Sequence, residues 1–175
     1  MSATEALPHV TLVLGGVRSG KSRYAEQLVV GSGLEPVYLA TAEVLDAEMA
    51  ARIALHRGRR PPAWRTAEEP LELVDALARE SHPGRAVLVE CLTLWLTNLM
   101  MAERPVDAAI EHLLTTLPKL PGPVVLVSNE VGQGVVPVAA LARAFVDHAG
   151  ALHQRIAAQA DTVVLMTAGL PWRLK

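Results

Sequence analysis

Short apolar runs alternate along the chain with longer segments that carry apolar residues at helical spacing. The short runs are nearly continuous and rich in β-branched residues, which is typical of strands covered on both sides in a parallel sheet. They comprise residues 10–16, 36–41, 86–91, 124–129 and 162–168. Because helical segments separate them, the pattern predicts an α/β fold with a mainly parallel sheet and helices on both faces.

The helical spacing predicts six helices. They cover residues 20–30, 46–57, 71–80, 92–102, 107–117 and 139–160. Residues 57–70 break the regular alternation, because two adjacent prolines disfavour a helix and several charges disfavour a place in the core. The pattern therefore predicts a loop without secondary structure at 57–70, and long loops of this kind are commonly functional.

Ligands of open α/β sheets bind outside the carboxyl ends of the strands. Loops begin there near Gly15, Thr41, Glu90 and Asn129, so we expect these loops to form one edge that holds the functional site. Residues 128–137, SNEVGQGVVP, run through two glycines and a proline and cannot continue as a strand or helix. We expect them to line the same edge as a substrate or trimer contact, with an ordinary connecting loop as the alternative.

The length and composition favour a single cytoplasmic domain. A chain of 175 residues suits one domain, residues 1–175, and is short for two. No stretch reaches the roughly 18–20 apolar residues of a membrane span, and the first residues do not have the pattern of a secretory signal. The single cysteine, Cys91, is interpreted as a small core residue and agrees with a reducing compartment. The net charge of −2 gives no electrostatic case for nucleic-acid binding.

The first predicted strand ends on the octapeptide GGVRSGKS, which has the spacing of a phosphate-binding P-loop. Its glycines let backbone N–H groups face phosphate oxygens, and the next helix directs its positive end at the same anion. Lys21 supplies a charge for the β and γ phosphates, and the Ser22 hydroxyl is a ligand for Mg²⁺. The predicted nucleotide-binding residues are Gly15, Gly16, Val17, Arg18, Ser19, Gly20, Lys21 and Ser22. The alternative is a glycine-rich turn without a ligand.

Glu90 closes the third apolar run, where many P-loop proteins have an acid that holds Mg²⁺ directly or through water. We therefore predict Ser22 and Glu90 as the metal ligands. The alternative for Glu90 is a partly buried carboxylate that is satisfied by N–H groups at the start of the next helix.

His56 lies near the end of the predicted helix 46–57 and directly before a run of arginines. A single histidine on a helical stripe is usually structural. The arginines favour another interpretation, because guanidinium groups bind phosphates in a bidentate manner and favour a neutral imidazole beside them. A neutral imidazole can attack phosphorus, so His56 is a candidate nucleophile.

In these segments the chain resembles the bifunctional adenosylcobinamide kinase / adenosylcobinamide-phosphate guanylyltransferase family of cobalamin biosynthesis. The similarity covers nearly the whole chain in order. It is carried by LVLGGVRSGKSRYAEQL, YLATAEVLDAEMAARIALHRGRRPPAWRTAEEP, LVECLTLWLTNL, VSNEVGQGVVPVAALARAFVDHAGALHQRIAAQAD and GLPWRLK. The resemblance implies a single P-loop NTPase domain of the RecA type, assembled as a homotrimer.

The resemblance also implies two reactions. ATP or GTP phosphorylates adenosylcobinamide, and GTP then donates GMP to the resulting adenosylcobinamide phosphate. It implies that His56 carries the GMP covalently, while Lys21 is expected to stabilise charge on the leaving pyrophosphate. The family's other nucleotide contacts fall on Ala40, Thr41, Ala42, Arg57, Gly58, Arg59, Arg60, Glu68 and Glu90.

Two other functions stay open on the residues alone. One is a simple P-loop kinase of a small alcohol, in which His56 is structural. The other is a non-catalytic nucleotide-binding switch. Transfer of a nucleotide from GTP would exclude the first, and turnover of a nucleotide with a corrinoid would exclude the second.

Overall fold

The computed structural model describes residues 6–43 and 63–175. Within these residues one sheet contains β1 Val10–Gly15, β2 Glu35–Ala40, β3 Arg65–Glu68, β4 Arg85–Glu90, β5 Val124–Asn129, β6 Thr162–Thr167 and β7 Leu170–Arg173. The α-helices are α1 Lys21–Gly31, α2 Leu73–Glu80, α3 Leu92–Met101, α4 Val106–Thr116 and α5 Ala140–Gln159. A short 3₁₀ helix, Leu117–Lys119, follows α4.

The strands are ordered β3-β2-β4-β5-β1-β6-β7, and all neighbours are parallel except β6 and β7. Strand β5 lies between β1 and β4, although it follows both along the chain. Its register pairs Asn129 with Gly15 of β1 and Val127 with Glu90 of β4. The ends of these three strands therefore meet at one edge of the sheet, where α/β proteins bind their ligands.

Two apolar cores lie on opposite faces of the sheet. Helices α2 to α5 cover one face with buried side chains such as Trp95 and Leu113. Helix α1 packs Ala25 and Val29 on the other face. Successive strand residues point to opposite faces, so every position of β1 is buried and its sequence reads as a continuous apolar run.

The prediction of a mainly parallel sheet with helices on both faces is confirmed. All five predicted strands and five of the predicted helices are present, with ends within two residues of those predicted. The sixth predicted helix, 46–57, lies outside the described residues. Among the described helices, none combines the length and the apolar character that a membrane crossing requires.

The prediction of an unstructured loop at 57–70 is wrong for its last part, where β3 pairs in parallel with β2. Its charge is accommodated because β3 is an edge strand, and the Arg65 guanidinium contacts both carboxylate oxygens of Glu80 at 2.7 and 3.1 Å. Trp64, just before the strand, is buried and packs edge-on against Tyr38 with ring centroids 6.1 Å apart. Charge therefore excludes a segment from the sheet centre and not from its edge.

The sequence analysis did not predict β7, which pairs antiparallel with β6. A two-residue turn joins them, with Ala168 at φ 52° and Gly169 at φ 81°. Two positive φ angles are the requirement of the tight hairpin turns that match strand twist, and glycine meets it without a steric cost. The signal was the Ala-Gly pair, but the exposed residues of β7 lack the continuous apolar pattern that identified the other strands.

Candidate functional site

The P-loop, residues 15–22, connects the end of β1 to the start of α1. Gly20 has φ 94°, a left-handed conformation that a side chain would strain, and it directly precedes the first helical residue, Lys21. The Lys21 side chain folds back so that Nζ donates to Gly16 O at 3.0 Å, and Lys21 is buried. This places its charge across the mouth of a loop at a helix N-terminus, where phosphate binds readily.

The turn between β6 and β7 supports this loop from behind. The Gly169 N–H donates to Ser19 O at 2.9 Å, and a Cβ at Gly20 would lie 3.3 Å from Gly169 Cα. A Cβ at Gly15 would lie 2.8 Å from Met166 O. Two of the loop glycines thus have a packing role as well as a phosphate-binding one.

The Ser22 hydroxyl donates a hydrogen bond to Glu90 Oε1 at 2.8 Å. The two predicted metal ligands are therefore adjacent, although they are far apart in the sequence. A hydroxyl and a carboxylate are hard oxygen donors that suit Mg²⁺, which usually takes one or two protein ligands and completes its shell with water and phosphates. The described residues contain no cluster of three or more His, Cys, Asp or Glu side chains that could hold a metal by themselves. This donor set fits a metal that arrives with a nucleotide.

Thr41 and Asn98 hold the ends of β2 and β4 together. Thr41 Oγ1 accepts from Cys91 N and donates to Cys91 O, both at 2.8 Å, and Thr41 is fully buried. The Asn98 amide donates to Thr41 O at 2.8 Å and to Pro70 O at 3.0 Å. Of the predicted contacts Ala40, Thr41 and Ala42, the threonine side chain is thus committed to the protein's own backbone.

Cys91 is buried, as its interpretation as a core residue predicts. Burial raises the pKa of its thiol, and the nearby Glu90 charge raises it further. A thiol with a raised pKa is a poor nucleophile, because the thiolate is the reactive form.

The end of β5 carries polar groups whose contacts the sequence analysis did not predict. The Asn129 amide donates to Thr93 Oγ1 at 2.8 Å. His153 of α5 lies with Nε2 2.7 Å from Ser128 Oγ, and both residues are buried. The only available signal was the strand-terminal SNE sequence, since His153 is 25 residues away along the chain.

The remaining predicted residues lie partly beyond the description. His56, Arg57, Gly58, Arg59 and Arg60 all lie outside the described residues. Two other predicted contacts are exposed: Val17 is at the tip of the P-loop, and Glu68 is at the end of β3. Arg18, also in the P-loop, has φ 57°.

Known proteins with similar sequences share the two motifs' biosynthetic context. The family model described as cobinamide kinase / cobinamide phosphate guanyltransferase matches residues 11–174. The bifunctional adenosylcobalamin biosynthesis protein CobP of Pseudomonas aeruginosa is 55% identical over 166 residues, covering 94% of this chain and 96% of the relative. The bifunctional protein CobU of Salmonella typhimurium is 44% identical over 179 residues, covering 94% of this chain and 98% of the relative.

A solved structure supports the fold. A prototypical ATPase from the type III secretion system of pathogenic bacteria has a TM-score of 0.53 at 11% identity, over 91% of this chain and 51% of that one. With the parallel sheet and the P-loop, this likeness confirms the P-loop NTPase fold of the RecA type. The match over almost the entire sequence shows that the chain belongs to the cobinamide kinase / cobinamide phosphate guanyltransferase family.

Proposed function

We propose that this protein phosphorylates adenosylcobinamide with ATP or GTP and then transfers GMP from GTP to adenosylcobinamide phosphate. The observation that carries the proposal is the Ser22–Glu90 contact beside Lys21, in a member of a family named for both reactions. Phosphoryl transfer depends mainly on positioning and charge neutralisation, so one phosphate-binding loop suits both steps.

In the kinase step the P-loop holds the triphosphate with its γ-phosphate towards the alcohol. The loop N–H groups and the Lys21 ammonium neutralise the phosphate oxygens, and Ser22 and Glu90 hold Mg²⁺. When bound, the metal adds positive charge where the diphosphate leaves. Glu68, Ala40 and Ala42 are proposed as further nucleotide contacts on the basis of the family resemblance.

In the transfer step His56 attacks the α-phosphorus of GTP. A bond forms between an imidazole nitrogen and phosphorus, the bond to the α–β bridging oxygen breaks, and pyrophosphate leaves with the electron pair. The phosphate of adenosylcobinamide phosphate then displaces the histidine and releases adenosylcobinamide-GDP. This covalent route is supported by the sequence, in which Arg57, Arg59 and Arg60 follow His56 directly.

The proposal includes a cytoplasmic homotrimer. The support for the trimer is the family resemblance, and the single cysteine agrees with a reducing compartment.

The proposal predicts that GTP labelled at the α-phosphate leaves an acid-labile, alkali-stable label on the protein. His56→Ala should lose this label and keep phosphorylation of adenosylcobinamide, whereas Lys21→Ala should lose both because both reactions need the phosphate-binding loop. His112→Ala, which removes an exposed histidine of α4, is the matched control and should keep both.

An undiminished label in His56→Ala would contradict the covalent role of this histidine. Phosphorylation without any label in the wild-type protein would instead indicate a simple kinase. The measurements are label retained after denaturation and product formed from adenosylcobinamide.

A further inference from the structure

Glu130 directly follows β5 and is tied to the P-loop. Its N–H donates to the carbonyl of Gly15 at 3.0 Å. Since β5 lies between β1 and β4, Glu130 follows the strand that separates the P-loop from Glu90. A carboxylate at this point is close to the place where a bound triphosphate ends between Lys21 and Glu90.

The Glu130 carboxylate is held by two separate contacts. Oε1 accepts a hydrogen bond from the Gly132 N–H at 2.7 Å, and Oε2 lies 4.0 Å from His153 Nδ1. When the Ser128 hydroxyl donates to Nε2 of this imidazole at 2.7 Å, the imidazole N–H is on Nδ1 and faces Glu130. The Glu130 side chain is nevertheless 23% exposed, so a ligand can reach its carboxylate.

Two other acids at this edge have different partners. Glu90 accepts from the Ser22 hydroxyl, which places it in the proposed metal site. Glu69 Oε1 accepts the backbone N–H groups of Leu71 and Glu72 at 3.2 and 2.9 Å, at the turn into α2. Glu130 has neither of these roles, and its contacts orient it without closing it off from solvent.

We propose that Glu130 is the general base of the kinase step and that His153 is a positioning residue for it; this inference rests on the proposed function. The substrate hydroxyl gives its proton to the Glu130 carboxylate as its oxygen attacks the γ-phosphorus. A new O–P bond forms, the bond between the γ-phosphorus and the β–γ bridging oxygen breaks, and the nucleoside diphosphate leaves with that electron pair.

The two reactions differ in their need for this base. An alcohol must lose a proton when it becomes a phosphate ester, and a positioned carboxylate is a common acceptor. A neutral imidazole that attacks the α-phosphorus through an unprotonated nitrogen has no proton to lose at that atom. Glu130 therefore serves phosphorylation and not the formation of the GMP-protein intermediate.

The test compares Glu130→Gln with wild-type protein in both half-reactions. For phosphorylation of adenosylcobinamide by ATP, kcat should fall about 100-fold, the lower end of what general bases contribute, with KM for ATP within about threefold. Labelling by α-labelled GTP should be unchanged. Glu35→Gln, which removes a half-exposed carboxylate at the start of β2, should leave both reactions unchanged.

Two further variants keep the inference falsifiable. Glu130→Asp retains a carboxylate and should be at least about tenfold faster in phosphorylation than Glu130→Gln. His153→Gln should lower the kcat of phosphorylation several-fold without changing KM for ATP or the GTP label, a selectivity that a purely structural role would not produce.

A Glu130→Gln enzyme with kcat within about threefold of wild type would overturn the inference alone, provided that wild-type protein phosphorylates adenosylcobinamide. Equal loss of phosphorylation and labelling would also overturn it, because the residue would then serve the fold or the binding of nucleotide. Absence of phosphorylation in the wild-type protein would overturn the proposed function and this inference with it.

Discussion

Replacing Gly15 with alanine puts a methyl group where β1 meets β6. The new Cβ would lie 2.8 Å from Met166 O and 3.1 Å from Met166 Cβ, and it would overlap Ser19 Oγ. The serine side chain can rotate away, but the carbonyl belongs to the paired strand β6 and cannot move without disturbing the sheet. Gly16 is the matched control, because a Cβ there has no described heavy atom within 4 Å beyond its chain neighbours.

The expected cost follows from these contacts. Forcing one methyl group into a well-packed position typically costs about 1–3 kcal/mol, so Gly15→Ala should lower the free energy of unfolding by that amount. For a chain of this size each kcal/mol corresponds to about 2–4 °C in Tm. Gly16→Ala should lie between no change and a gain of about 1 kcal/mol, because alanine reduces the freedom of the unfolded chain.

Urea unfolding of the nucleotide-free variants, followed by circular dichroism, measures both free energies. The m-values should equal that of the wild type if only the folded state is affected. Equal losses at the two positions, or a larger loss for Gly16→Ala, would refute the view that the β6–β7 turn packs against the loop. The double variant Gly15→Ala/Ser19→Ala should recover only part of the loss, since the Met166 carbonyl remains.

Two other measurements probe the supports of the site. Asn98→Leu should lower the free energy of unfolding by about 1–3 kcal/mol, because the carbonyls of Thr41 and Pro70 lose their donor, and Thr97→Ala should cost less since it loses a bond within its own helix. Burial lowers the pKa of His153, partly opposed by the Glu130 charge, so the unfolded chain takes up the proton first as pH falls. Its contribution to stability is therefore present above the unfolded pKa of about 6.5 and is lost below it. Urea unfolding between pH 7.5 and 5.5 should show a smaller pH dependence in His153→Gln, and an unchanged dependence would contradict this origin.

The sequence predicts the centre of the fold better than its edges. Strands such as β1 and β5 are buried on both sides, so nearly every residue is apolar and the pattern is clear. Edge strands have different requirements. In β3 the charge of Arg65 is satisfied by Glu80 of α2, and all residues of β7 are exposed. Such contacts depend on tertiary structure, which a local pattern does not contain.

The candidate site shows the same division. The P-loop could be predicted because its residues are consecutive, and Glu90 because it ends a recognisable strand. The contact between Ser128 and His153 could not, because it depends on how α5 is rotated against the sheet. His56 and the arginines after it were predicted from sequence, and their part in the site stays a prediction.

Strand β1 is the first described strand in the chain, yet its partners in the sheet are β5 and β6, which begin only at Val124 and Thr162. During synthesis on the ribosome, the apolar residues of β1 must therefore wait unpaired until most of the protein has been made. Pairings between residues so distant in sequence are slow to form and leave apolar surface open to aggregation meanwhile. Because the phosphate-binding loop takes its shape from that pairing, nascent chains that stop before β5 should be unable to bind nucleotide. A nucleotide added during refolding would then stabilise only those molecules whose central strands have already joined.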